Sequence, residues 1–64
     1  MSRNILVEHV VPEHAPGNDT WQGVDEESGE VVFEALEWKQ AAMIARLLRE
    51  RGAEVRLCPS VVVV

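Results

Sequence analysis

The chain lacks most of what staples a small protein or announces an active site. It has one cysteine, Cys58, among 64 residues, so no internal disulfide can form. It has no tyrosine, one phenylalanine (Phe33) and two tryptophans (Trp21 and Trp38), which leaves little aromatic surface for a core. Basic residues are scarce: six Lys and Arg stand against eleven Asp and Glu, a net charge of −5. That sign disfavours nonspecific attraction to nucleic acid or an anionic membrane. No apolar run approaches the ~20 residues that a membrane-spanning helix needs. The N-terminal segment MSRNILVEHVV holds one side-chain base, Arg3, and Glu8 and His9 interrupt its apolar run. It suits a first strand better than a secretory signal. A lone cysteine without such a signal points to a reducing, cytoplasmic setting.

What is present suffices for one domain over residues 1–64. A chain of this length buries about 60% of the surface its unfolded form exposes, and domains this small often rely on staples or partners. Hydrophobic residues make up 47%, the share a globular fold needs. Charge is unevenly placed. Residues 1–36 carry eight acids and one base, and residues 37–64 carry five bases and three acids. The molecule therefore has an acidic part and a basic part.

Periodicity locates the elements. Over Val31–Cys58 the apolar period changes from two to about 3.6 and back, which reads as strand, helix, strand. Upstream, Asn4–Val11 is rich in β-branched residues and predicts a strand that Pro12 ends. Residues 12–19 read as a loop. Thr20–Val24 is either a short strand or more of that loop. Asp25–Gly29 is a polar turn, with Gly29 suited to a positive φ. If both flanks are strands, Thr20–Leu36 is a hairpin. The helix starts near Glu37 without a good N-cap. It ends at Gly52, with Arg46, Arg49 and Arg51 placed where the dipole favours cations. Ala53–Cys58 alternates as a half-buried strand, and Pro59-Ser60 breaks it. Val61–Val64 is an edge strand or a tail. It is a template for strand pairing, either with a second copy or with the chain's own first strand.

The helix is unusually apolar around its girth. Ala41, Ile44 and Leu48 centre one face, with Leu47 beside them. Leu36 and Met43 widen the face on one flank, and Trp38, Ala42 and Ala45 on the other. A surface helix normally carries a stripe a little over 100° wide. A sheet of three or four strands cannot cover both flanks, so the excess points to a partner.

The run Ala41, Ile44, Ala45, Leu48, Gly52, Val55 and Leu57 resembles the helix–glycine–strand pattern of small βαβ-containing modules, such as the sporulation-related repeat domain and ferredoxin-like signalling domains. The resemblance covers less than half of the chain and includes no functional residue. It implies a helix on a sheet and no activity.

Candidate chemistry is thin. His9, His14, Cys58, Asp19 and the Asp25–Glu27 cluster contain metal-capable atoms, but no spacing matches a zinc or EF-hand motif. Cys58 at a strand end needs a lowered pKa and a nearby base to act as a nucleophile. Arg56 and His9 could serve it, but the chain is too short to build a substrate cleft, so the residue reads as a small packed thiol. The acidic turn can stay merely solvated or meet a basic partner. Trp21 and Trp38 suit interface anchors, since tryptophan is enriched among binding hot spots.

These features predict an α+β fold. One α-helix packs on a three- or four-stranded β-sheet in the order β-(β)-β-α-β, with Val31–Leu36 and Ala53–Cys58 as a parallel pair joined by the helix. The expected core is Ile5, Val7, Val31, Phe33, Ala41, Ile44, Leu48, Val55 and Leu57. The expected function is a non-enzymatic protein-binding module, a small self-associating regulatory or accessory protein of bacterial or phage type. It would occlude a partner's surface, in one form as an acidic mimic. The expected partner-binding residues are Trp38, Ala42, Met43, Trp21, Asp25, Glu26, Glu27, Val61, Val62 and Val63. The expected partners are another protein and a second copy in a homodimer, without a membrane, metal or cofactor. The alternative is a nucleic-acid binder using Lys39, Arg46, Arg49 and Arg51.

Overall fold

The β-branched N-terminal segment takes a central place in the sheet. The computed structural model describes residues 3–15 and 17–64. Met1, Ser2 and Pro16, the last within the loop expected over residues 12–19, lie outside the described residues. Strand β1 (Asn4–Val11) pairs antiparallel with β2 (Thr20–Asp25), and β2 pairs antiparallel with β3 (Val31–Ala35). Helix α1 (Trp38–Glu50) leads to β4 (Glu54–Val63), which pairs parallel with β1. The sheet has four strands in the order β3-β2-β1-β4. The chain is thus a small single-domain α+β fold, and Thr20–Val24 belongs to a strand.

One topological expectation is corrected. β3 and β4 run in the same direction, but they lie at opposite edges rather than side by side. The short turn after β2 commits β3 to β2, where Asp25 N–H donates to the Glu30 carbonyl at 2.8 Å. The apolar edge of β1 is the place left for β4. The helix therefore spans the sheet from the end of one edge strand to the start of the other.

Glu37 is extended and offers no side-chain cap to α1. The far end is well closed. Gly52 (φ +94°) gives its N–H to the Arg49 carbonyl at 3.0 Å, and Ala53 gives its N–H to the Leu48 carbonyl at 3.0 Å. That pair of bonds is a Schellman stop, which a left-handed glycine permits. The turn before β3 uses Gly29 (φ +76°) as expected.

The core is small and built on alanine. Ile5, Val7, Ala35, Ala41, Ala45 and Val55 are buried, and Ile5 is the only large side chain that is fully so among the described residues. Ala41 and Ala45 face the sheet, so the helix sits rotated from the centre expected at Ala41, Ile44 and Leu48; Ile44 and Leu48 are half-buried. Small residues let the helix backbone come close. Phe33 lies across Gly23 of the neighbouring strand: a Cβ there would fall 2.1 Å from the Phe33 ring.

Two expected core residues are exposed. The β2–β3 register shifts so that Val31 lies opposite Val24, while Val32 and Phe33 both pack on the core. That bulge moves Val31 out of the buried set. Leu57 lies opposite Val7 but on an outer strand. α1 ends near Val55, so Leu57 is left uncovered.

Pro59-Ser60 bends β4 without ending it. Between Val7 and His9, β1 advances two residues while β4 advances from Leu57 to Val61. The bulge absorbs Pro59, which has no N–H for a ladder. Val61–Val63 then pairs with His9–Val11, so the valine run lies on the chain's own first strand.

Candidate protein-docking surface

Beyond Val31, Leu57 and Trp38, the exposed large apolar side chains lie in two places. The first follows the outer flank of α1. Leu36, just before the helix, is 75% exposed, and Met43 and Leu47, one turn apart on it, are 65% and 50% exposed. Beside Leu36 lies a cleft of about 280 Å³ lined by Thr20, Glu34, Ala35 and Gln40. The second region is the outer end of β4, where Val61 and Val63 are 53% and 62% exposed.

An aromatic row lies on the helix-side face. Trp21 stacks on His9, with ring centroids 4.5 Å apart and planes 5° from parallel. Trp38, at the start of α1, meets Trp21 at 6.3 Å with a 53° tilt. His9 Nε2 lies 3.0 Å from Asp19 Oδ2, which ties the loop before β2 to the sheet. Trp21 is half-buried by this stacking, whereas Trp38 keeps nearly half of its surface in water. Ala42, on the same flank as Trp38, is half-buried.

The acidic turn is partly engaged within the fold. Asp25 Oδ1 accepts the N–H groups of Glu27 at 2.9 Å and Ser28 at 3.3 Å, so Asp25 shapes the turn. Glu26 holds the Arg56 guanidinium, with Nη2 2.6 Å from Oε2. That hydrogen bond, then the Glu26 charge, raises Arg56 above its ordinary pKa. Glu27 is exposed at the tip. The helix cations divide likewise. Arg49 Nη2 donates to the Val55 carbonyl at 3.0 Å, and Arg46 lies 3.5 Å from Glu50.

Cys58 is a half-buried free thiol. No group of three or more His, Cys, Asp or Glu converges to hold a metal among the described residues. No helix is long and apolar enough to cross a membrane among the described residues.

The sequence-predicted residues therefore do not form one site. Trp21, Trp38 and Ala42 lie together, Met43 lies on the outer flank of the helix, Val61–Val63 lie on β4, and Asp25–Glu27 lie at the hairpin tip. Leu36 and Leu47 belong with Met43, and the excess girth of the helix was their signal. The His9–Trp21–Asp19 contact had no signal in the sequence, because the loop geometry that closes it is not periodic.

Surface area gives the exposure a scale. The accessible surface is 4759 Å², about 650 Å² above the ~4100 Å² expected for a compact chain of this mass. The radius of gyration is 11.7 Å, against ~10.7 Å for a compact domain of this length.

No family model, curated protein or solved structure matches this chain.

Proposed function

We propose that this chain is a small, non-enzymatic protein-binding module that acts by covering a partner's surface. The observation that carries this reading is the outer strip of Leu36, Met43 and Leu47. Large apolar side chains stand in water there although the core they could have joined is short of volume. Met43 and Leu47 lie one turn apart on α1, and exposed apolar patches mark interaction sites. Trp38 supplies an anchor at the start of the same helix, and the acidic N-terminal half would steer the module toward a basic partner. Self-association belongs to the same reading, and the single cysteine fits a cytoplasmic regulatory or accessory role. The nucleic-acid alternative is less well supported, because Arg46 and Arg49 already have partners within the fold.

The test is capture from an extract of the source cell on the immobilised chain, in its natural form and as Met43→Glu/Leu47→Glu. Burying each side chain fully is worth roughly 1.5–3 kcal/mol, so the double variant should lose the specific partner by well over tenfold while keeping its helical circular dichroism. Equal capture by both forms would refute the helix strip as the docking surface.

A further inference from the structure

The outer edge of β4 is partly occupied in its first half and open along its second. Glu54 N–H donates to the Arg3 carbonyl at 2.7 Å, and Val64 N–H donates to the Val11 carbonyl at 3.1 Å. Even-numbered residues at the start of β4 and just past its end thus bond toward the β1 side. Alternate residues of a strand address opposite neighbours, so Val55, Leu57, Val61 and Val63 direct their amide groups outward. At Val55 the outward carbonyl is taken by Arg49. At Pro59 there is no N–H to offer, and the bulge there turns the edge away. Val61 and Val63 carry no such protection. Their ends are held firmly, since the Val64 carbonyl also accepts the Glu13 N–H at 2.6 Å. Among the described residues this is an ordered, exposed, β-branched edge.

We infer that Val61–Val63 is the docking edge for a second copy of this chain, paired antiparallel about a twofold axis at Val62. In that register Val61 faces Val63 of the partner subunit, and the two exchange backbone N–H···O=C bonds in both directions. Symmetry repeats the set. Val62 meets Val62 of the partner subunit on the opposite face of the sheet. Sliding the overlap toward the start of β4 sets Pro59 opposite Val63, and Pro59 has no N–H to give. The overlap, residues 60–64, contains no charged side chain in a chain of net charge −5, so no like charges meet across it. A twofold contact of this kind closes on itself and does not propagate. The other free edge, β3, is short and bulged.

The result is a continuous sheet with both helices on one face. This inference rests on reading the chain as a protein-binding module, but it uses the β4 edge rather than the helix strip, so the two can fail separately.

Amide hydrogen exchange on the unmodified full chain, at low micromolar and at millimolar concentration, tests it. Val62 and Val64 should be protected at both. Val61 and Val63 should exchange freely when dilute and gain about tenfold or more protection when concentrated. Sedimentation adds a second arm. Val63→Pro removes an outward N–H and no bond to β1, and should weaken self-association by about tenfold or more. Val63→Thr keeps the N–H and the shape and should associate like the natural chain. Val61 and Val63 amides that stay unprotected at millimolar concentration would overturn the inference, whether the chain remains monomeric or associates elsewhere. Should Val63→Pro fail to fold, the exchange data on the natural chain decide alone. Association abolished by Met43→Glu/Leu47→Glu, with Val61 and Val63 still unprotected, would overturn the edge pairing and leave the helix-strip reading standing.

Discussion

Met43 and Ile5 are both large apolar residues, and the structure assigns them opposite roles. Ile5 is 1% exposed and Met43 is 65% exposed. Full burial of such a side chain is worth roughly 1.5–3 kcal/mol, so the third of Met43 that is covered contributes about 0.5–1 kcal/mol. Met43→Gln keeps length and helix propensity and should cost less than about 1 kcal/mol. Ile5→Ala leaves a cavity in the core and should cost about 2–5 kcal/mol. A domain of this length has only about 3–10 kcal/mol to lose. Urea unfolding followed by circular dichroism separates the two. With a slope near ~1 kcal/mol per molar, Met43→Gln should lower the midpoint by less than about 1 M, and Ile5→Ala by about 2 M or more. Equal shifts would refute the reasoning, because Met43 would then be part of the core and not a surface held for a partner.

Gly23→Ala should lower the melting temperature by at least ~5 °C. The new methyl would fall 2.1 Å from the Phe33 ring, and displacing that ring costs about 1–3 kcal/mol, each worth ~4–8 °C here. An unchanged melting curve would mean that the ring does not lie over the glycine. His9→Ala should uncover Trp21, seen as a red-shifted emission and stronger acrylamide quenching. Unchanged tryptophan fluorescence would contradict the 4.5 Å stack.

The elements set by local chemistry were legible. Gly52 stopped the helix, Gly29 made the turn, Pro12 ended β1, and period changes placed the helix. The pairing of β4 was not legible. Both β1 and β3 offered it an apolar edge, and the choice depended on which neighbour β2 had already taken. The two bulges were equally silent, since each inserts residues without changing composition. One carried Val31 out of the core, and the other let β4 continue through Pro59. Of the candidate site, the exposure of Trp38 and Met43 followed from counting apolar positions around the helix. The internal use of Asp25 and Glu26 did not, because an acidic turn reads the same whether its carboxylates face water, the backbone or Arg56.

Methionine oxidation tests the proposed docking surface directly. Mild peroxide converts accessible methionine to its sulfoxide at a rate set by exposure, and mass spectrometry resolves the site. In the purified chain at low micromolar concentration Met43 should oxidise almost as fast as a free methionine. In the source cell, with its partner present, the same residue should be protected severalfold. Equal oxidation in both settings, or a Met43 that is already slow in the dilute purified chain, would contradict a surface kept exposed for a partner.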